Sequence, residues 1–356
     1  MKDIKVEDAL KIEDPIFIDV RAPKEFKEAS IPGAVNIPVF NNEERAEVGK
    51  TYHNQGTEEA RILGLEYVSP KLPDMVTQIR ELSELGTPII YCWRGGERSK
   101  SICNVMKIMR VKGYRIEGGY KAYRRYILEQ LEEYQFNPEV IVLHGYTGTG
   151  KTDILHQLAK RNHPVLDLEG LAGHRGSAFG SIGIEEVRNQ KQFDALLYNR
   201  LEELKDEPYV LIEAESKRIG RVHLPDFMVQ KKMEGLPILV ESSVESRARQ
   251  IVGEYVQEEG QQEFVDHCLG SLNAIKKRLV KKIGKEDFAK LEEAIKNSDF
   301  EIVAASLLSN YYDPLYKHSQ KKYDYQLKVD ANKLKDAVQE IDQFLKIRYP
   351  GYKGQV

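Results

Sequence analysis

The chain has 356 residues, 41% of them hydrophobic, and its 53 lysines and arginines nearly balance 56 aspartates and glutamates for a net charge of −3. That length and apolar content support a large core divided between two domains and exclude a disordered or low-complexity chain. The charge balance excludes a global pull toward nucleic acid or an anionic membrane, so any RNA contact must come from local basic patches. No run of about 18 apolar residues occurs, and MKDIKVEDALKIEDP at the start has no apolar signal region, so neither secretion nor membrane spanning is expected. Cys92, Cys103 and Cys268 are odd in number, far apart and without C-x-x-C spacing. This argues against a disulfide framework or a zinc site, and a cytoplasmic, reducing setting fits best.

In chain order, IFIDV (16–20) reads as a short buried strand that places Asp19 and Arg21 at its carboxyl end, followed by the helix-like PKEFKEA. IPGAVNIPV (31–39) is kept out of helix by Pro32, Gly33 and Pro38. The polar, then helical stretch 41–64 is long for a connection and suggests a functional insertion. A helix over about 71–85 leads to a strand over 88–91 and then to Cys92. Here a strand delivers a cysteine into a glycine-rich turn that opens a helix near Arg98. The sulfur meets converging backbone N–H groups and the positive end of a helix dipole. With Arg94 and Arg98 nearby, that setting favours the thiolate, the form that attacks. Trp93, Arg94, Gly95, Gly96, Glu97, Arg98 and Ser99 are the candidate anion loop, with Asp19 and Arg21 as auxiliary residues. The alternative, a buried inert cysteine, sits poorly with two glycines and two arginines in one turn.

The segment 118–139 reads as a connecting helix ended by Pro138. Lys121, Arg124 and Arg125 interleave with Tyr120, Tyr123 and Tyr126, a pattern that suits base stacking. Packing of the tyrosines on a domain surface explains it more simply.

A strand over 139–143 runs into HGYTGTGKTDIL, where Gly145, four residues, then Gly150, Lys151 and Thr152 satisfy G-x-x-x-x-G-K-[ST] in the required strand-loop-helix context. Gly145, Thr147, Gly148, Thr149 and Gly150 let backbone N–H groups wrap a diphosphate; Lys151 adds a point charge, and Thr152 can hold Mg²⁺ if it is present. Whether that diphosphate belongs to a nucleotide is not readable from the loop. Asp167 and Glu169 end the next strand near the phosphate pocket, and His174 and Arg175 lie on a glycine-rich loop able to fold over it. YVLIEAES ends at Glu213 and Glu215, where a Walker B acid is expected. Either acid can position water or assist a metal; either can equally pair with Lys217 or Arg218.

PILVE (237–241) is the last clear strand, and from about residue 244 the pattern turns helical and charged, ending in a helix near 331–347. Lys276, Lys277, Arg278, Lys281 and Lys282 suit either an RNA backbone or a solvated face. Cys268 reads as a packed helix residue. The expected architecture is α/β: a parallel-sheet domain over 1–135, a P-loop α/β domain over 136–243, and a helical region over 244–356 packed with the P-loop domain.

IDVRAPKEFKEASIPGAVNIP with YCWRGGERS resembles the rhodanese family over about the first 130 residues. Arg98 lies six positions after Cys92, a spacing similar to that of the Cdc25-type phosphatases on the same fold. A rhodanese-type sulfurtransferase or phosphatase, coupled to a nucleotide-hydrolysing P-loop domain, is therefore the alternative. The whole chain resembles the bacterial tRNA 2-selenouridine synthase family. VRAPKEF, NNEERAEVGKTY, CWRGGERS, GYTGTGKT, DLEGLAGHRGSAFG, EAESKRIG and YYDPLY occur in that family's order, with a departure at Ala22, where serine is frequent. The resemblance implies a selenotransferase and geranyltransferase acting on tRNA at the anticodon wobble uridine. It implies geranylation of 2-thiouridine by geranyl diphosphate, then displacement of the S-geranyl group by selenium from selenophosphate. Cys92 would carry or direct the chalcogen and the P-loop would bind the departing diphosphate. No resident metal or tightly bound cofactor is expected.

Overall fold

Alternation of short β-branched runs with helical segments folds this chain around two five-stranded sheets, parallel throughout. The computed structural model describes residues 1–174, 187–256, 261–314, 322–352 and 354. It separates into one unit of Met1–Glu133 with Asp194–Tyr198 and a second of Tyr134–Phe193 with Asn199–Val356.

In the first unit β1 (Lys2–Ile4), β2 (Pro15–Asp19), β3 (Val35–Asn36), β4 (Thr87–Tyr91) and β5 (Tyr114–Ile116) lie in the order β1-β5-β4-β2-β3. Ile89, Ile90 and Tyr91 are fully buried because β4 is central and both its faces are covered. The core joins Ile18, Val20, Ile79, Ile90 and Met106. α1 (Val6–Ala9) and α2 (Pro23–Glu28) are short, and the insertion forms α3 (Asn42–Asn54) and α4 (Thr57–Val68). Asn41 starts α3 by accepting the Glu44 N–H while the Glu44 carboxylate accepts the Asn41 N–H. α5 (Leu72–Leu85) precedes β4, α6 (Glu97–Ile108) follows it, and α7 (Gly119–Glu132) ends the main segment. Tyr120 and Tyr123 are buried, and Arg124 pairs with Asp194 at 2.6 Å, so these residues serve packing.

The second unit orders β6 (Glu139–His144), β7 (Val165–Leu166), β8 (Tyr209–Glu213), β11 (Leu236–Glu241) and β12 (Leu327–Asp330) as β12-β11-β6-β8-β7. β9 (Arg218–Ile219) and β10 (Val222–His223) make a separate antiparallel pair. Its helices begin with α8 (Lys151–Ala159), α9 (Leu168–Ala172), α10 (Gln190–Leu204), whose residues Asp194–Tyr198 count with the first unit, and α11 (Asp226–Glu234). β12 is a strand beyond the last one expected from sequence. LKVD buries only Val329, and its pairing with β11, not its composition, makes it a strand.

The C-terminal part is otherwise helical: α12 (Val244–Val256), α13 (Gln261–Ile283), α14 (Lys285–Lys296), α15 (Phe300–Leu307) and, after β12, α16 (Leu334–Arg348). Leu272, Leu279, Phe288 and Ile295 form the bundle core, with Cys268 packed among them. α16 lays Ala337, Val338, Ile341 and Leu345 on the β6–β8–β11 core. Its Asp342 accepts from the buried His163 at 2.9 Å, and His163 also bonds the Tyr209 hydroxyl at 2.6 Å. Among the described residues no helix is long and apolar enough to cross a membrane.

Candidate functional site

Cys92 directly follows β4, the loop turns over Gly95 and Gly96, and α6 begins at Glu97. The first four N–H groups of an α-helix have no intrahelical partner, so the start of α6 offers donors to an anion, while the Cys92 thiol itself donates to Gly96 O at 3.9 Å. The Cys92 sulfur lies 3.2 Å from the Ser99 hydroxyl, and the residue is 3% exposed. The loop is clamped from behind through the backbone: Tyr120 N–H donates to Cys92 O at 2.8 Å and Lys121 N–H to Trp93 O at 2.9 Å. Gly119 makes this approach possible. A Cβ there would lie 2.2 Å from Cys92 O and 2.5 Å from Gly95 N, and its φ is +60°.

Asp19 and Arg21 form a fully buried pair, with Arg21 Nη2 at 2.5 Å from the carboxylate and donating to Ala29 O at 2.6 Å. Asp19 also accepts the Arg21 backbone N–H at 2.9 Å. The guanidinium lies 4.3 Å from the centroid of the Tyr120 ring and 5.9 Å from that of Trp93. Asp19 and Arg21 therefore brace the aromatic floor of the loop. Arg98 binds both oxygens of Glu25, at 2.6 and 3.2 Å, and that pairing together with the Ala22 N–H holds Glu25 below the usual carboxylate range despite burial. Arg94 and Glu97 are exposed. Arg115 donates to Gly95 O while holding Asp3 at 2.7 Å, a brace from β5 that no local motif announces. Burial pushes the Cys103 thiol up to about 12, which leaves it inert.

In the second unit β6 ends at His144 and the loop Gly145–Gly150 leads into α8 at Lys151. Gly148 and Gly150 both take φ of +78°. Lys151 Nζ donates to the loop's own Gly145 and Tyr146 carbonyls at 3.2 and 3.3 Å, so the ammonium sits inside the loop's curve. Thr149 donates to Tyr146 O at 2.9 Å, and Thr152 donates to Glu169 at 3.0 Å. Thr147 O accepts from Arg247 at 3.3 Å, and Arg247 binds Asp313 through both guanidinium nitrogens at 2.8 and 2.7 Å. Arg247 is 2% exposed. Asp313 belongs to the quoted YYDPLY, but its partner stands 66 residues away and no sequence signal joins them.

The acids converge beside Lys151. Glu213 is fully buried; one oxygen accepts the Glu169 N–H at 2.6 Å, and the other has no partner among the described residues. Burial first, then the Asp167 and Glu169 charges, hold Glu213 well above the usual carboxylate range. Burial, with the charge of the adjacent Glu215, pushes Glu169 up to about 8. Glu215 does not pair with Lys217, which binds Asp226 at 2.5 Å, nor with Arg218, which donates to Gly220 O at 3.0 Å. Lys232 instead donates to Glu215 O, and burial lowers its pKa. Asp167 caps α9 through the Gly170 N–H at 2.7 Å and bonds His156 at 2.8 Å. His174 packs against the Gly220 turn, while Arg175 lies outside the described residues. Burial, Lys151 and Lys232 lower His144 to about 4, so its ring, 4.3 Å from that of Tyr323, is neutral. Among the described residues no three His, Cys, Asp or Glu side chains are arranged to hold a metal.

Residues 4–126 match a rhodanese-like domain, and residues 138–347 match the AAA domain of tRNA 2-selenouridine synthase. A tRNA 2-selenouridine synthase of Nitrosomonas europaea is 34% identical, over 88% of this chain and 92% of that protein. One from Nitrosomonas eutropha is 38% identical over 70% of this chain and 65% of its own length. One from a Sulfurovum species is 33% identical over 92% and 94%.

Proposed function

The chain belongs to the tRNA 2-selenouridine synthase family, and we propose that it works in the cytoplasm as a two-step transferase on the wobble 2-thiouridine of tRNA. In the first step the thiocarbonyl sulfur attacks C1 of geranyl diphosphate, the C–O bond breaks, and diphosphate leaves into the P-loop. Lys151 and the N–H groups of Gly148 to Thr152 stabilise the charge that builds on the leaving oxygens. Arg247 supports that loop from Thr147. Alkylation turns a poor leaving group into a thiol.

In the second step the selenium of selenophosphate attacks C2 of the S-geranyl base, the C–S bond breaks, and geranylthiol departs with a proton from water. Hydrolysis of the P–Se bond then releases phosphate. The N–H groups of the 93–99 loop hold the selenophosphate anion, and Cys92 at its base directs the chalcogen. Arg94, exposed beside them, supplies positive charge. The Thr152 hydroxyl would hold Mg²⁺, which would supply positive charge to the departing diphosphate. Lys277, Arg278 and Lys281 lie on the face of α13 opposite the buried Cys268, Leu272 and Leu279, and they enter no ion pair among the described residues. They suit the tRNA backbone. Lys276 and Lys282 instead lie over the Phe288 and Tyr311 rings at 4.7 and 5.0 Å.

The observation that carries this reading is a thiol set under one strand-to-helix loop and an ammonium set in another, within a chain of this family. Incubation with 2-thiouridine-bearing tRNA, geranyl diphosphate and selenophosphate gives 2-selenouridine by nucleoside mass spectrometry. ATP turnover without tRNA, and no selenated product, would sink the reading.

A further inference from the structure

Trp93 is the single tryptophan of the chain and follows Cys92 directly. An anion cradle built from backbone N–H groups has no use for an indole, and a half-buried one at the loop's mouth needs another reason. Its surroundings are those of a fixed platform. Its carbonyl accepts from Lys121 N–H at 2.9 Å, which holds the backbone. Its ring is backed by Tyr120, with centroids 5.8 Å apart and planes tilted 31°, and Tyr120 in turn by Tyr123 at 6.0 Å. Both tyrosines are 1% exposed. Arg21, locked by Asp19, lies within 5.9 Å of the Trp93 centroid. Unlike the two tyrosines behind it, the indole is only partly buried, and Arg94 beside it is exposed and enters no ion pair among the described residues.

Resting on the proposed function, we propose that Trp93 stacks on the uracil ring of the nucleotide being modified. Stacking on a rigid aromatic fixes a splayed-out base without reading its edge, which leaves C2 and its substituent available to the chemistry beside Cys92. Tyr120, Tyr123, Arg21 and Asp19 then act as the support that keeps the indole in place.

Because no other tryptophan contributes, emission from the full chain reports on this ring alone. Titration with an anticodon stem-loop carrying 2-thiouridine gives saturable quenching. Trp93→Ala raises KM for the stem-loop about tenfold with kcat nearly unchanged, and Trp93→Phe stays within about threefold of the parent. Iodoacetamide labelling of Cys92 at the parental rate shows that the loop is intact in both variants. A stem-loop that binds and is selenated with emission unmoved and KM equal in Trp93→Ala overturns the stacking and leaves the function standing. A parent chain that binds no stem-loop overturns both.

Discussion

The Cys92 loop and the P-loop are built alike, a parallel strand running through glycines into a helix, but they are held in different ways. The Cys92 loop is fixed from behind mainly by main-chain bonds to the Gly119–Lys121 turn, with Arg115 of β5 bracing Gly95 O, and its Arg98 turns onto Glu25. The P-loop is held by side chains. Lys151 folds onto the loop carbonyls, Thr152 is held by Glu169, and Arg247 reaches Thr147 from α12. The first loop is set before any ligand arrives. In the second, Lys151 and Thr152 already have partners, from which the proposed diphosphate would have to take them.

Single substitutions separate the two. Cys92→Ala is expected to cut selenium incorporation to background while geranylation persists. Lys151→Ala is expected to raise the KM for geranyl diphosphate by about ten- to a hundredfold, the worth of a charged hydrogen bond, and to leave selenation of a pre-geranylated tRNA intact. Mass spectrometry of both products in both variants checks this; losses that coincide would merge the two sites into one. Asp313→Ala leaves Arg247 buried without its carboxylate and is expected to cost about 3 kcal/mol in urea unfolding, with weaker diphosphate binding. Gly119→Ala and Gly148→Ala share the penalty of a left-handed backbone, about 1–2 kcal/mol. The new methyl at 119 meets main chain at 2.2 Å, whereas at 148 it meets the movable end of Ile251 at 2.7 Å, so Gly119→Ala is expected to unfold at lower temperature.

A separate effect concerns protons. Glu169 keeps its proton to about 8 when folded, whereas the unfolded chain releases it near 4.5, so folding binds a proton in that window and stability falls as pH rises through it. Thermal melting from pH 5 to 8.5 should show this decline, shallower in Glu169→Gln. An unaltered slope in the variant removes Glu169 as its source.

Both loops were legible in sequence because each follows a β-branched run and is marked by glycines at fixed offsets, signals that are local. What surrounds them was not. Glu25 meets Arg98 across 73 residues and Asp313 meets Arg247 across 66, and nothing in the spacing of charges selects those partners over others. The tyrosines of 120–126 suit either base stacking or packing in the sequence, since periodicity alone does not say which face of a helix meets solvent; Tyr120 and Tyr123 turn inward. β12 was missed because four residues alternating between charge and apolar side chain become a strand only when β11 lies alongside.

That last strand bears on how the molecule is made. β12 arrives some 86 residues after β11 ends, as the difference between Leu327 and Glu241, and until it docks β11 presents an unpaired rim of N–H and C=O groups. During synthesis the ribosome must therefore extrude the whole helical bundle before the nucleus of the second unit is sealed. A nascent chain stalled short of Leu327 carries a complete P-loop sequence but leaves the β11 edge open, a target for chaperones and a seed for aggregation.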